Sequence, residues 1–370
     1  MKQIAFTVPK PFQNNRLFDI DAARDRSLER FVLLKKILES HGLRCTTFDA
    51  CSITAIDILV ILDIHLHLRQ IFKAIKYNPS IKLIYIATEP PLIYCLHDNN
   101  ILGAMPFDRV LYWNDDYVKQ YAIGVKCNIG QPIISQNTIP NIPFNKKKFL
   151  VAIYSNKLIK HKMGLYEERL TAFDFFYHKP EEFDLYGRGW ENSKRPSVLA
   201  SYKGKCICKK DVLKNYKFAL CYENSRYPYY ITEKIFDCFA AGTVPIYLGA
   251  PNIQNFIPKS CFIDLRDFKD YDELYHYLIS MKESVYNSYL QAVKDFIQSP
   301  IYHQFTSQGF AELVSNQIFT LLNEPKHSRS LSYYLHAFSK IVLSNPVLFL
   351  KNFRSCRQFL IDLIISWKSI

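Results

Sequence analysis

Short apolar runs alternate with stretches of helical spacing along the first third of the chain. Runs at 2–8, 44–48, 56–62, 82–87 and 109–113 predict strands. The run at 56–62 is apolar along nearly its whole length, as a parallel strand buried on both faces is. Between the first two runs, 22–41 spaces Leu28, Phe31, Val32, Leu34, Ile37 and Leu38 as one helical face and stops at Gly42, a good terminator. A further helical stretch covers 66–76. Strands alternating with helices predict a doubly wound α/β domain over 1–145.

Periodicity fades over 130–148, where Pro132, Pro140, Pro143 and Lys146-Lys147-Lys148 predict an interdomain linker. A second α/β domain, 146–328, is predicted from strands at 149–154, 183–186 and 261–264, a helix at 164–176 and helices from 271 to 322. Its centre, 216–250, reads strand, polar loop, short helix, strand. The remaining 329–370 mixes apolar residues with Lys340, Lys351, Arg354, Arg357 and Lys368 against one acid, Asp362, and Asn345-Pro346 splits it into two helices. A basic amphipathic tail suits an anionic bilayer surface; helices packed on the body are an equal and compatible reading.

Composition then narrows the class. A length of 370 residues suits two domains, and 49% hydrophobic with 22% charged residues excludes wholesale disorder. A net charge of +13 admits nucleic acid, an anionic membrane or a phosphorylated small molecule. The basic residues are scattered, which turns the reading away from nucleic acid. Ten cysteines, without a Cys-x-x-Cys pair and mostly inside apolar runs, predict buried thiols in a reducing, cytoplasmic setting, with neither a disulfide framework nor structural zinc. The N-terminal apolar run is too short for a signal peptide, and no uncharged apolar stretch of about 18 residues predicts a membrane span.

The chemistry concentrates in Ile231-Thr232-Glu233-Lys234. Thr232 is a predicted N-cap whose hydroxyl accepts from a first-turn N–H. Lys234 falls in the first turn, where the helix dipole disfavours a cation by about 0.3–1 kcal/mol. A diphosphate held by Lys234 and the free N–H groups explains that placement; a solvated surface lysine is the alternative. Glu233 can accept from ribose or sugar hydroxyls, or simply favour the helix start.

These residues carry a resemblance. Tyr216-Lys217-Phe218, Cys221-Tyr222-Glu223-Asn224-Ser225, Tyr230 to Lys234, and Gly242-x-Val244-Pro245-Ile246-Tyr247-x-Gly249-Ala250 resemble the signature of the α1,3/1,4-fucosyltransferases of glycosyltransferase family 10. Ser155-Asn156, Arg169 and Tyr186-Gly187-Arg188 look like the family's upstream elements, and Phe256-Ile257-Pro258 and Phe262-Ile263-Asp264 like its downstream ones. The likeness is dense over 149–300 and closer to the bacterial members. It implies a GT-B fold, two Rossmann-like domains facing across a cleft, here with a C-terminal helical tail. It also implies inversion at the anomeric carbon, a GDP-fucose donor and no metal or other cofactor.

That chemistry needs a carboxylate to take the acceptor proton and fixed cations to meet the leaving diphosphate. Lys234 matches the family's phosphate-contacting lysine, and Arg169 is the candidate for the arginine that assists departure, against an Arg paired with Glu167 or Glu168. Tyr230, Thr232, Glu233, Glu223, Asn224 and Arg188 are the further donor-binding candidates; Glu223 reads rather better as holding the loop, and Arg188 equally well as structural. Glu89, in Thr88-Glu89-Pro90 after a predicted strand, is the candidate base, although several members have Gly-Glu-Asn there. His97, Asp98 and Asp115-Asp116 are fallbacks. Neither Asp115-Asp116 nor Asp63-Ile64-His65 has metal-site spacing. The implied acceptor is O3 of a GlcNAc or glucose in a surface glycan such as lipopolysaccharide O-antigen. The implied location is cytoplasmic, with peripheral contact to the inner face of the membrane. A transferase for another GDP-sugar and a non-catalytic, membrane-docked nucleotide-sugar binder remain open alternatives.

Overall fold

The computed structural model describes residues 1–63, 68–179, 181, 183–325, 327–346 and 353–367. His65, the first two residues of the predicted 66–76 helix, Lys351, Lys368 and the side chain of Arg354 lie outside the described residues. The chain divides into two units: one is Met1–Pro132 with Gln304–Ile370, the other Ile133–His303.

In the first unit β1 (Gln3–Thr7), β2 (Arg44–Thr47), β3 (Ile56–Leu62), β4 (Lys82–Ala87), β5 (Arg109–Tyr112) and β6 (Gly124–Lys126) form a parallel sheet in the order β2-β1-β3-β4-β5-β6. In the second, β7 (Lys148–Ile153), β8 (Phe183–Tyr186), β9 (Tyr216–Tyr222), β10 (Val244–Leu248) and β11 (Ile263–Asp264) form a parallel sheet in the order β11-β10-β9-β7-β8. Each sheet reverses direction once, between β1 and β3 and between β7 and β9. In such sheets ligands bind beyond the carboxyl ends of the strands at that reversal.

On one face of the first sheet, Ile4, Phe6, Ile58, Val60 and Ile84 pack with Phe31, Leu34 and Leu38 of the helix Glu29–Ser40. The same core takes Phe310, Val314, Ile318 and Leu321 from the helix Ser307–Asn323. The Phe31 and Phe310 rings meet edge-on at 5.6 Å. By packing, Ser307–Asn323 thus belongs to the first unit, whereas the sequence places it in the segment 146–328. Its apolar stripe fits the groove beside Glu29–Ser40, where each fully buried side chain contributes about 1.5–3 kcal/mol. The returning strand of chain is pinned by Gln131 N–H donating to Phe305 O (2.7 Å) and Ser307 N–H donating to Gln131 O (2.6 Å).

The chain passes from one unit to the other within the predicted linker, between Pro132 and Ile133, while the last two residues of that stretch are built into the second unit. Lys147, buried within the second unit, donates from Nζ to Gly242 O at 2.6 Å, and burial pushes its pKa down to about 8. Lys148 opens β7 and pairs with the buried Asp184 at 3.0 Å.

The tail helices Leu331–Ser344 and Phe353–Trp367 pack on the first unit. Phe338 meets Phe72 at 5.7 Å and Phe107 at 6.4 Å, and Arg69 pairs with Asp362 at 3.3 Å. Among the described residues eight cysteines are free thiols, but Cys95 is disulfide-bonded, a departure from the all-thiol expectation. Among the described residues no helix is long and apolar enough to cross a membrane.

Candidate active site

In the second unit the strand–loop–helix–strand reading of 216–250 holds: β9, the helix Glu233–Ala241 and β10 follow one another. The helix stops at Gly242, which sits in the left-handed region (φ 64°, ψ 41°) and lets Thr243 N–H close back on Cys238 O at 3.1 Å. This returns the chain into β10 beside β9, so the strand ends and the helix start share one sheet edge.

Glu223 leaves the end of β9 with no exposed surface. A buried carboxylate requires donors, and three arrive. Thr232 N–H donates to Oε1 at 2.8 Å, the Thr232 hydroxyl donates to Oε2 at 2.7 Å, and Lys234 Nζ lies 3.1 Å from Oε2. Lys234 Nζ also donates to the Thr232 hydroxyl at 2.9 Å and lies 3.5 Å from Glu233. Gly249 makes room for this: a Cβ there would stand 2.6 Å from Glu223 Cγ.

The expected cap geometry is overturned. Thr232 occupies the N-cap position but makes no side-chain cap bond. Its hydroxyl instead donates to the Glu223 carboxylate and accepts from Lys234 Nζ, two charge-assisted bonds that are stronger than a neutral cap bond. The solvated-lysine alternative also fails, since the Lys234 side chain is 17% exposed and thrice engaged. Burial opposes its charge, but Glu223 and Glu233 outweigh that and hold its pKa above the usual lysine range. Burial likewise opposes ionisation of Glu233, while Lys234 and Lys209 hold it well below the usual carboxylate range.

Lys209, which sequence reasoning missed, completes the cluster through Asp237 (2.6 Å) and Glu233 (3.5 Å). Nothing local to Lys209 signals this contact, which arises only when the helix Lys209–Leu213 packs on Glu233–Ala241.

Arg169 comes from the helix Tyr166–Phe176 and is 5% exposed. Its terminal nitrogen donates to Tyr222 O (2.9 Å), Glu223 O (2.7 Å) and Asn224 Oδ1 (3.0 Å). The guanidinium lies over the rings of Tyr154 (4.1 Å) and Tyr166 (4.9 Å). The surface-pair alternative fails, and Glu168 pairs with Arg226. Tyr154, also missed, ties β7 to β9 by donating to Leu220 O at 2.7 Å and accepting from Tyr222 N–H at 2.6 Å. Tyr230 is buried and follows Tyr229, whose φ of 69° is held by an N–H bond to Asn252 Oδ1. Arg188 is exposed, after the edge strand β8, two strands away from Glu223.

In the first unit Glu89 follows β4 at the carboxyl edge of its sheet. Asp63, at the end of β3 with a left-handed φ of 48°, accepts from Thr88 N–H (2.9 Å) and Glu89 N–H (3.0 Å) through Oδ1. Among the fallbacks, Asp98 caps the helix Asn99–Ala104 and Asp115 pairs with Lys126 at 2.5 Å. His97 is fully buried and packed against Tyr85, Tyr94 and Tyr112. No group of three or more His, Cys, Asp or Glu side chains among the described residues is arranged to hold a metal.

Two parallel, doubly wound sheets of this kind belong to the GT-B fold. An alpha1,3-fucosyltransferase solved with GDP-fucose superposes with a TM-score of 0.50 and 16% identity, covering 89% of this chain and 92% of that one. Anabaena HepE, solved with UDP and glucose, gives a TM-score of 0.55 and 10% identity, covering 86% and 100%. At such identities the likeness is one of fold. Sequence places the chain further: it belongs to glycosyltransferase family 10, whose C-terminal fucosyltransferase model matches residues 144–328, half of the chain. Helicobacter pylori alpha-(1,3)-fucosyltransferase FucT is 33% identical over 153 residues, 40% of this chain and 27% of that protein. Mouse 4-galactosyl-N-acetylglucosaminide 3-alpha-L-fucosyltransferase 9 is 43% identical over 168 residues, 43% of this chain and 42% of that protein. The chain thus spans less than half the length of these curated relatives.

Proposed function

We propose that this chain transfers L-fucose from GDP-fucose, with inversion, to O3 of a GlcNAc or glucose in a surface glycan such as a lipopolysaccharide O-antigen. The observation that carries this reading is the Glu223–Thr232–Lys234 cluster at the switch-point edge of the second sheet, inside the family-matched region. Lys234, with its cationic end at that edge and the uncapped helix start beside it, meets the diphosphate. Arg169 adds positive charge from the buried side. Tyr230 and Glu233 serve the donor's ring and hydroxyls, and Arg188 the nucleotide. Glu223 and Asn224 act on the donor by holding Thr232, Lys234 and Arg169 in place.

Glu89 takes the proton of the acceptor hydroxyl as that oxygen attacks the anomeric carbon. The bond from this carbon to the diphosphate breaks, and its electron pair leaves on the diphosphate oxygen. Fixed cations meet that charge, so the step calls for no metal. The test is GDP release with an N-acetyllactosamine acceptor and EDTA present. GDP-fucose should turn over undiminished. Turnover with another sugar nucleotide alone, or loss with EDTA, would refute the donor or the metal-free reading.

The tail supports a peripheral site on the inner face of the cytoplasmic membrane. Its helices bury Tyr334, Leu335, Phe338 and Ile341 against the body yet leave Leu343 at 78% and Trp367 at 41% exposed, with Lys340 and Arg357 also exposed. Removing the two tail helices should weaken binding to anionic vesicles in a flotation assay. Binding that is unchanged, or equal on neutral vesicles, would leave the tail a packing element only.

A further inference from the structure

Glu89 sits on a loop whose backbone is gripped by side chains on both sides. Its own N–H and that of Thr88 go to Asp63 Oδ1 at 3.0 and 2.9 Å. Its carbonyl oxygen lies 2.6 Å from His97 Nδ1. A carbonyl only accepts, so Nδ1 carries the proton in this contact, and the ring tautomer is set. The other ring nitrogen, an acceptor in this tautomer, and Asp63 O both lie within reach of the Tyr85 hydroxyl, at 2.8 and 2.6 Å, and its single proton serves one of them at a time. Tyr85 thus sits between Asp63 and His97, and Asp63 Oδ1 lies 3.9 Å from Nε2.

The surroundings keep this assembly rigid. Tyr85 stacks on Phe107 at 4.9 Å, the Tyr112 hydroxyl donates to His97 O at 3.0 Å, and Trp113 donates to Thr88 O at 3.0 Å. The tail helix Phe353–Trp367 packs on the Cys95–His97 turn, and the Tyr94 ring meets His97 edge-on at 5.1 Å. Asp63 adopts a left-handed backbone that costs an ordinary residue free energy, and such strain persists where the surroundings over-determine it.

We infer that Asp63 and His97 are positioning residues that hold Glu89 for proton transfer, acting through its backbone rather than on the substrate. The inference rests on Glu89 being the base. A base displaced by about 1 Å can lose roughly a hundredfold in rate while binding is spared.

The test exploits which nitrogen does the work. An asparagine amide falls where Nδ1 stands, and a glutamine amide where Nε2 stands. In the full-length chain, His97→Ala should lower kcat by roughly 10- to 100-fold with acceptor KM nearly unchanged. His97→Asn should recover most of that loss, and His97→Gln little of it. A role in packing alone predicts the reverse order, because glutamine fills the space better; that order, or a change confined to KM, overturns the inference. Asp63→Asn, which keeps an acceptor oxygen, should likewise exceed Asp63→Ala in kcat, and equal values would count against the clamp. Thermal melting of each variant separates misfolding from misplacement. Glu89→Gln is assayed in parallel. If it retains kcat, the base assignment fails and this inference with it. If it loses kcat while the His97 order is reversed, the clamp alone fails.

Discussion

Glu89→Gln is expected to lower kcat by about 10²- to 10⁴-fold, the usual contribution of a positioned general base. The amide keeps the size of the side chain and leaves the backbone bonds to Asp63 and His97 in place, so the melting temperature should hardly move. The loss should appear in kcat and kcat/KM together, because an amide cannot take the acceptor proton in the transition state. A variant retaining more than about a tenth of wild-type turnover would move the base elsewhere. Asp98 and Asp115 are weaker substitutes, since one caps a helix and the other is held by Lys126.

The second large effect is expected at Lys234. Lys234→Ala leaves Glu223 buried with its two Thr232 donors but no cation, and breaking a buried pair in this way costs about 3–5 kcal/mol. It also removes positive charge from the diphosphate, worth about 10²- to 10³-fold in turnover. The two effects can be separated. The double variant Lys234→Met/Glu223→Gln removes both charges, so urea denaturation should show most of the stability restored. Turnover should stay low. Recovery of turnover with stability would make Lys234 structural and not a ligand of the diphosphate.

Local signals in the sequence proved dependable where one residue type has one physical use. Gly42 takes the left-handed turn just past the helix Glu29–Ser40 (φ 74°), where a terminator is predicted, and Ile56–Leu62 is a strand with the predicted bounds. The carboxyl-edge placement of Glu89 followed from the strand before it, and that of Lys234 from the helix start. What escaped was tertiary. The apolar stripe of Ser307–Asn323 shows that the helix packs but not on which unit, so its place in the first unit could not be read from it. Thr232 is a good cap by type, yet a buried carboxylate nine residues earlier claims its hydroxyl. Lys209, Tyr154, Asp63 and His97 reach their partners across 8 to 68 residues of chain, where no spacing rule applies.

The central claim is transfer of fucose with inversion, and product analysis tests it most directly. N-acetyllactosamine incubated with GDP-fucose and the full chain should yield an acceptor carrying one added fucose at O3 of GlcNAc. NMR should show that residue with anomeric configuration opposite to the donor's. A product with retained configuration, or a different sugar transferred from another nucleotide, would contradict the account.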